Sequence, residues 1–219
     1  MKITTLEIAG LESALKGMRN PMNSWGKADS GYYSLPLGQC GYEIGKNDLK
    51  LAQNLIKGGS EHRKYRRMIQ VWGDFDMPRY WWSEFDTYKI GTTANSCSTM
   101  HRLLNNNNPI TLELFVTCDE DLDIAKMVVD RLEELRKEYK YQDCSSDHKN
   151  YLLVRAKRLL MEGFLQLRTV NLNYETIANI YHQRKNHRLK EEWVDVFCKW
   201  VESLPYANEL IIYTGESNE

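Results

Sequence analysis

Cationic, aromatic and hydroxyl-bearing side chains are concentrated between Gly58 and Arg102. The segment opens with a run of cations, namely His62, Arg63, Lys64, Arg66 and Arg67. An aromatic pair, Trp81-Trp82, follows, and a hydroxyl-rich stretch then runs from Thr92 to Thr99. Hydroxyls, amides and backbone N–H groups beside a cation can converge on an anion, so the segment is typical of a site for an anionic or nucleotide ligand. The same residue types also occur in solvated faces, cores and loops that bind nothing.

The composition of the whole chain limits the classes of function. The chain has 219 residues and a formal net charge of -1. This length suits a single domain that buries its own core. A nearly neutral chain lacks the strong positive field of a protein that coats DNA or RNA. We therefore expect small-molecule ligands and no dedicated nucleic-acid partner.

The cysteines and the apolar segments indicate the cellular compartment in which the protein is expected. The five cysteines are odd in number, scattered and without a CxxC pair, which argues against a disulfide framework or a structural zinc site. Cys144 and His148 have a metal-like spacing but no second ligand pair nearby, so we predict no metal site. No segment has the apolar length of a membrane span or of a signal peptide core. These features predict a soluble, cytoplasmic protein without a membrane partner.

The spacing of apolar residues and turn signals predicts the elements that position these side chains in the first third of the chain. Residues 1–25 predict a short strand and a short helix. The Gly-, Tyr- and Pro-rich stretch 24–45 predicts a long ordered loop, a kind of loop that is often functional. Asn47-Asp48 can cap a helix that Gly58-Gly59 ends.

The central part of the chain predicts a turn, a helix and a strand. Asp76-Met77-Pro78 has the composition of a turn. The Trp81-Trp82 pair is predicted to lie on a helix that reaches Lys89 and gives way at Gly91. Alternation of apolar and polar residues over 110–116 predicts a short strand.

The last part of the chain predicts four helices and one extended piece. Residues 121–141 have apolar residues three and four apart and charges on the opposite face, as in an amphipathic helix. A second helix begins near His148. An extended piece from Thr169 to Asn173 leads into a helix from Tyr174 to Arg184, and a last helix runs from Lys190 to Leu204.

Three polar residues of this last part have a distinctive spacing. Asn173 is followed six residues later by Asn179 and eleven residues later by Arg184. In type, in spacing and in their place on a short strand that leads into a helix, they resemble a motif of the flavin-dependent thymidylate synthases, the ThyX family. The family's arginine before a Leu-Pro pair falls on Lys157, and Arg158 is adjacent to it.

The central segment resembles the signature of the same family, in which Arg-His-Arg precedes a serine, an Asn-Glu pair, a second serine and Arg-Tyr. With Asn95 on the signature asparagine, Thr93 and Ser98 take the places of the two serines. Lys89 is the one cation where Arg-His-Arg stands in the family. Arg102 lies two residues beyond the place of the final arginine.

Two further positions bear on the resemblance. Glu175 stands where the family has an arginine two residues after the first asparagine. His62 matches either of two family histidines, and the sequence does not choose between these registers. The loss of two signature arginines removes charge-assisted contacts, each worth roughly 1.5 to 3 kcal/mol, and the cationic run 62–67 is a possible replacement.

The resemblance covers roughly residues 48–203 and implies a fold, an assembly and a reaction. The expected fold is a single ThyX-like α+β domain, residues 1–219, with a central antiparallel or mixed sheet flanked by helices. The expected assembly is a homotetramer with active sites between subunits. The family transfers a one-carbon unit from methylenetetrahydrofolate to dUMP, and FAD relays a hydride from NADPH.

The same resemblance assigns residues to ligands, without assigning a catalytic residue. The residues expected to bind the FAD cofactor are His62, Lys89, Asn173 and Asn179. Those expected to bind the pyrimidine nucleotide are Asn95, Ser98, Arg158 and Arg184. We expect the Asn173, Asn179 and Arg184 triplet and the loop around Asn95 to form one cavity.

Three functions stay open on the sequence. The first is a flavin-dependent thymidylate synthase acting on dUMP or a related pyrimidine nucleotide. The second is a non-catalytic ThyX-like protein, encoded by a phage or mobile element, that binds a nucleotide or a partner. The third is a nucleic-acid-binding module in which the 62–67 cations act with Trp72, Trp81 and Trp82 as stacking surfaces.

Overall fold

The computed structural model describes residues 1–34, 36 and 40–215. The strands are β1 (Lys2–Ala9), β2 (Gly31–Ser34), β3 (Cys40–Glu43), β4 (Gln70–Pro78), β5 (Thr92–Ser96) and β6 (Leu165–Asn173). The α-helices are α1 (Leu11–Met18), α2 (Lys46–Lys57), α3 (Arg79–Phe85), α4 (Thr99–Arg102), α5 (Leu122–Tyr139), α6 (Ser146–Leu159), α7 (Tyr174–Arg184) and α8 (Lys199–Glu202). A 3₁₀ segment covers Arg63–Met68, and π-helical segments cover Lys190–Cys198 and Ala207–Ile212.

The strands form a four-stranded sheet in the order β1-β4-β6-β5 and a two-stranded sheet of β2 and β3. The amide of Arg79, just after β4, donates to the carbonyl of Phe164, just before β6, at 3.1 Å. The amide of Cys97, just after β5, donates to Leu167 near the start of β6 at 2.9 Å. The end of β4 and the end of β5 thus each lie beside the start of β6, so β6 runs antiparallel to both neighbours. The predicted α+β class with an antiparallel sheet is confirmed.

The residues fall into two compact units. The first unit consists of Met1–Lys2, Asp74–Thr87 and Ala94–Thr169, and the second of Ile3–Gly73, Tyr88–Thr93 and Val170–Glu219. That the chain is one ThyX-like domain over residues 1–219 stays a prediction. Within the described residues, no helix is both long enough and apolar enough to cross a bilayer.

The core of the first unit follows from the apolar periodicity of its helices. On α5, the residues Val129, Leu132 and Leu135 are buried and pack in one cluster with Leu152 and Ala156 of α6. Residues three and four apart lie on one helical face, so this stripe faces α6 while the charged face meets solvent. The predicted helices over 121–141 and from His148 are confirmed as α5 and α6.

The central segment differs from its prediction because an alternating pattern dominates over the turn signal. Val71, Phe75 and Met77 are buried while Trp72, Asp74 and Asp76 are partly exposed, so β4 continues to Pro78 and the predicted turn at 76–78 is wrong. Helix α3 begins directly after Pro78 and ends at Phe85, so it does not reach Lys89.

Three other boundaries are corrected. The hydroxyl-rich stretch expected as a loop is the strand β5, which begins after Gly91 at a backbone φ of 73°. Residues 110–116 form no strand; Leu112–Leu114 is a 3₁₀ turn, and Phe115 makes one isolated bridge to Phe164. The expected loop 24–45 contains the hairpin of β2 and β3, and its residues 35 and 37–39 lie outside the described part.

The second unit keeps most of the predicted elements. The strand and helix expected over residues 1–25 are β1 and α1, and α7 has the predicted bounds. The expected last helix is present as the π-helical segment Lys190–Cys198 followed by α8, with Trp193, Phe197 and Val201 buried. The segment Ala207–Ile212 was not predicted.

A buried ion pair fixes the start of α2. The Nε of Arg19 donates to the Asp48 carboxylate at 2.5 Å, and both side chains are almost fully buried. The other Asp48 oxygen accepts from the Ser30 hydroxyl and amide. The predicted cap at Asn47-Asp48 is wrong, since Asp29 accepts from the amides of both residues. Burial opposes ionisation of Asp48, but these donors together hold its pKa below the ordinary value.

We predict that Asp48→Asn lowers the free energy of unfolding by about 3–5 kcal/mol at neutral pH, because Arg19 loses its buried counter-charge. A depressed pKa stabilises the fold above the ordinary carboxyl pKa, and this contribution is lost as the pH falls through the lower, folded-state pKa. The difference between wild type and variant, measured by urea unfolding, should therefore shrink in acid. Asp130→Asn, on the exposed face of α5, is the control. A constant difference between neutral and acid pH would contradict the assignment.

Candidate functional site

A cavity of about 210 Å³ lies in the first unit. Its lining comes from β4, β6, α4 and the loop that follows α4. Polar side chains at the cavity include Asp76, Ser98 and Arg102, and apolar ones include Leu103, Ile110 and Leu167. An apolar pocket with a few convergent polar groups is typical of a small-molecule site, and this volume suits a ligand smaller than a dinucleotide.

Two of the polar groups are brought to the cavity by one helical turn. Ser98 was expected to bind the substrate, and its carbonyl accepts from the amide of Arg102 at 3.0 Å. Residues four apart in a helical turn lie on the same face. Arg102, which is two residues out of register with the family signature, thus reaches the same cavity as Ser98. The spacing of four residues between Ser98 and Arg102 could have predicted that both reach one site, but the comparison with the family signature did not use it.

Lys157 reaches the same segment from α6. Its Nζ donates to the hydroxyl of Thr99 at 2.5 Å, and Thr99 also lines the cavity. Burial lowers the pKa of Lys157, the nearby Arg79 lowers it further, and Glu162 opposes this effect. A bound anion would favour the charged lysine and relieve the repulsion between the two cations. The segment is therefore suited to a phosphate or carboxylate.

Arg184 occupies an aromatic frame in the second unit. Its guanidinium carbon lies 4.5 Å from the ring centre of Trp193 and 5.4 Å from that of Tyr88. The Nε of Arg184 donates to the Tyr88 hydroxyl at 2.8 Å, and that hydroxyl donates to Gln183 at 2.9 Å. One Arg184 nitrogen also lies 2.8 Å from the ring of His187. Tyr88 therefore holds Arg184 through both its hydroxyl and its ring.

Asn173 is built into the start of α7. Its Oδ1 accepts from the amide of Thr176 at 2.9 Å, so the side chain caps the helix. A Cβ atom added to Gly91 would lie 2.5 Å from both the Asn173 amide nitrogen and the Thr176 hydroxyl. Gly91 is thus needed both for its left-handed backbone and for this close approach. Capping and packing account for the buried position of Asn173.

Glu175 forms an ion-pair bridge at the start of α7. Its two carboxylate oxygens lie 2.9 Å from Arg63 Nε and 3.0 Å from Arg66 Nε. Arg66 and Glu175 are almost fully buried, whereas the Arg63 side chain is 28% exposed. Two cations of the 62–67 run thus neutralise Glu175, and Arg63 is the one of this pair that also reaches solvent.

Several residues expected at the site are exposed in their units. His62, Lys89 and Asn179 are exposed in the second unit, and Asn95 and Arg158 in the first. Within the first unit, the structure brings Ser98 to the cavity, while Arg158 follows Lys157 on the outer face of α6. The expectation that the triplet at Asn173 and the loop at Asn95 form one cavity stays a prediction.

Two of the three stacking surfaces proposed for nucleic acid, Trp81 and Trp82, are wrong. Trp81 and Trp82 are fully buried and pack with Phe75 and Phe85 in the core of the first unit. The Trp82 ring nitrogen donates to the Gln166 carbonyl at 2.9 Å. A buried indole cannot stack on a base, so the third hypothesis keeps only the partly exposed Trp72 of its three aromatic surfaces.

The chain was compared with protein families, curated protein sequences and solved structures. No protein-family model and no curated protein sequence matches the chain. Two crystal structures of the flavin-dependent thymidylate synthase ThyX from Helicobacter pylori do match, each with FAD and dUMP. The first is 18% identical, covers 97% of this chain and 98% of its own, and has a TM-score of 0.68. The second is also 18% identical, covers 99% and 100%, and has a TM-score of 0.69.

The chain has the ThyX fold. The resemblance inferred from spacing is therefore confirmed at the level of the fold, over almost the whole chain. That Glu175, Tyr88 and Met100 take the places of family arginines stays a prediction.

We predict that Glu175→Gln, which keeps the shape of the side chain, destabilises the protein by about 3–5 kcal/mol. The reason is that Arg66 would keep a buried charge without its counter-charge. Urea unfolding measures the effect, and Glu191→Gln, exposed in the π-helical segment Lys190–Cys198, is the control. Equal stability of the two variants would show that the bridge is not a major constraint on the fold.

Proposed function

We propose that the protein is a flavin-dependent enzyme of the thymidylate synthase type that binds a pyrimidine mononucleotide in the cavity of the first unit. The observation that carries the proposal is the group formed by Ser98, Arg102 and the Lys157–Thr99 hydrogen bond at a cavity of about 210 Å³. The ThyX structures that share this fold contain FAD and dUMP, which supports the same ligand classes here.

The polar groups suit the two ends of a mononucleotide. Arg102 offers a planar fork for phosphate oxygens, and Lys157 offers a point charge next to the Thr99 hydroxyl. The apolar side chains of the cavity suit the faces of a base. Ser98, between these two kinds of surface, is placed to donate to either the phosphate or the sugar.

The second unit offers donors of the kind that FAD requires. Lys89 and the exposed part of Arg63 are cations suited to a diphosphate, the His62 ring can donate a hydrogen bond to it, and the Asn179 amide suits the edge of a flavin ring. Asn173 would act through the first turn of α7, which it caps. When bound, FAD would supply the hydride that reduces the transferred one-carbon unit.

The full reaction in this proposal uses methylenetetrahydrofolate as the carbon donor, NADPH as the reductant and dUMP or a related nucleotide as the acceptor. The residues of this chain bind and orient the reactants, and Lys157 and Arg102 hold the phosphate so that the base is fixed in the cavity. Remote phosphate contacts of this type contribute to positioning at the reacting carbon.

Assembly as a homotetramer is part of the proposal. Ile124 and Met127 on α5 are 56% and 71% exposed, and apolar residues one turn apart on an exposed helical face are suited to a subunit contact. Sedimentation equilibrium measures the assembly. A monomer at micromolar concentration would contradict it.

A second candidate is a non-catalytic nucleotide-binding protein with the same fold. Glu175 favours it, since a carboxylate in the place of a family arginine consumes the charges of Arg63 and Arg66. This protein would bind the mononucleotide in the first unit and take up no flavin. Absorbance of purified protein after incubation with FAD and gel filtration separates the two candidates.

We predict that Arg102→Ala weakens dUMP binding about 10- to 150-fold, because a charge-assisted hydrogen bond contributes about 1.5–3 kcal/mol. Lys157→Ala should have an effect of similar size, since Lys157 is the second proposed phosphate contact. Isothermal titration with dUMP measures both. Arg131→Ala, which removes an exposed arginine on α5, is the control for net charge.

The assay for activity is formation of dTMP from dUMP with methylenetetrahydrofolate, NADPH and FAD. We expect product from the wild type and a reduced rate from both variants. Failure to bind either FAD or dUMP would overturn the enzyme proposal. Binding of dUMP without FAD and without product would support the non-catalytic candidate.

A further inference from the structure

Asp76 is the carboxylate at the cavity of the first unit. It lies near the end of β4, is partly buried and lines the cavity together with Leu165 and Leu167. Among the residues that the structure describes, none forms a hydrogen bond or an ion pair with the Asp76 side chain. Burial raises the pKa of this carboxyl, and the positive amino terminus of the chain partly opposes the shift.

The neighbouring amide is already engaged by protein partners. Gln166 also lines the cavity, and its Nε2 donates to the Cys97 carbonyl at 2.9 Å. Its Oε1 accepts from Arg168 at 3.4 Å. Because both ends of this amide are used within the first unit, the Asp76 carboxylate is the better placed of the two to contact a ligand.

An ionised carboxylate accepts hydrogen bonds and donates none. The exocyclic amino group of a cytosine-type base donates, and carboxylates pair with that group in base recognition. The corresponding position of a uracil-type base is a carbonyl oxygen, which has no proton to offer and is repelled by the negative charge. An ionised carboxylate that faces position 4 therefore distinguishes the two base types by whether that position carries an N–H donor.

We propose that Asp76 makes this protein selective for a 4-aminopyrimidine nucleotide, such as dCMP, over the 4-oxo nucleotide dUMP. The inference rests on the proposed function, because it takes the cavity as the site of the base. It goes beyond that function in naming the residue that reads the base and the substrate class that this residue favours.

The geometry of the cavity supports a single-ring ligand. A volume of about 210 Å³ lies below the range of pockets for drug-sized molecules. Leu103, Ile110 and Leu167 provide apolar contacts that do not depend on the substituent at position 4. The polar contact with Asp76 therefore accounts for the discrimination between the two bases. The apolar walls and the phosphate contacts account for the affinity that both nucleotides share.

The test is isothermal titration of the full-length protein with dCMP and with dUMP, for the wild type and for Asp76→Asn. We expect the wild type to bind dCMP about 10- to 150-fold more tightly, since one correct base contact is worth about 1–3 kcal/mol. An asparagine has both a donor and an acceptor, so it can donate to the carbonyl oxygen of uracil. The ratio of the two dissociation constants should therefore fall to about one, or reverse, in Asp76→Asn.

Asp74→Asn is the matched control. Asp74 lies two residues earlier on β4, accepts from the Thr169 hydroxyl at 2.6 Å and does not line the cavity. The same change there should leave the dCMP-to-dUMP ratio as in the wild type. Asp76→Ala is a second variant, and the ratio is informative even in a partly unfolded preparation, because both ligands report on the same folded fraction.

The outcomes separate the inference from the proposed function. If dUMP binds as tightly as dCMP in the wild type, or if Asp76→Asn leaves the ratio unchanged, the inference fails while nucleotide binding stands. If neither nucleotide binds the wild type, both fail. A preference for dCMP that Asp76→Asn removes and Asp74→Asn keeps supports the inference.

Discussion

The second unit depends on one electrostatic constraint, the pairing of the buried Glu175 carboxylate with two arginines. A charge removed from water is tolerated only with a partner, so Arg63 and Arg66 must lie against the first turn of α7. This contact orders the 3₁₀ segment that follows His62 and fixes it near the helix that carries Asn179 and Arg184. In this chain with the ThyX fold, the pairing of Glu175 with Arg63 and Arg66 therefore stabilises the start of α7.

The elements that the sequence predicted well are those in which separate signals agree. Asn173 provides a cap, buried residues recur along the helix, and Arg184 ends it, so α7 was found with its bounds. In the central segment the signals conflict: Asp76-Met77-Pro78 has turn composition, yet the alternation of Val71, Phe75 and Met77 belongs to a strand. The strand forms because these side chains are buried against other parts of the fold. The free energy of that burial cannot be obtained from a single sequence.

The candidate site was predictable only where neighbours in sequence form it. Ser98 was predicted from motif spacing, which is local, and lies at the cavity; the spacing of four between Ser98 and Arg102 was also available. The hydrogen bond between Lys157 and Thr99 joins residues that are 58 positions apart, and the position of Asp76 at the cavity depends on the sheet. Such contacts are set by strand pairing and helix packing, so no sequence pattern records them.

The contact of Arg184 with the Trp193 ring allows the second unit to be followed by tryptophan fluorescence. A guanidinium 4.5 Å from the Trp193 ring places a positive charge next to the indole, and the emission wavelength of an indole responds to the local electric field. Trp81 and Trp82, fully buried in the first unit, supply a background signal, to which the Arg168 guanidinium 4.1 Å from the Trp82 ring also contributes. A ligand that draws Arg184 away from the ring would therefore shift the intrinsic fluorescence of the protein without any attached dye.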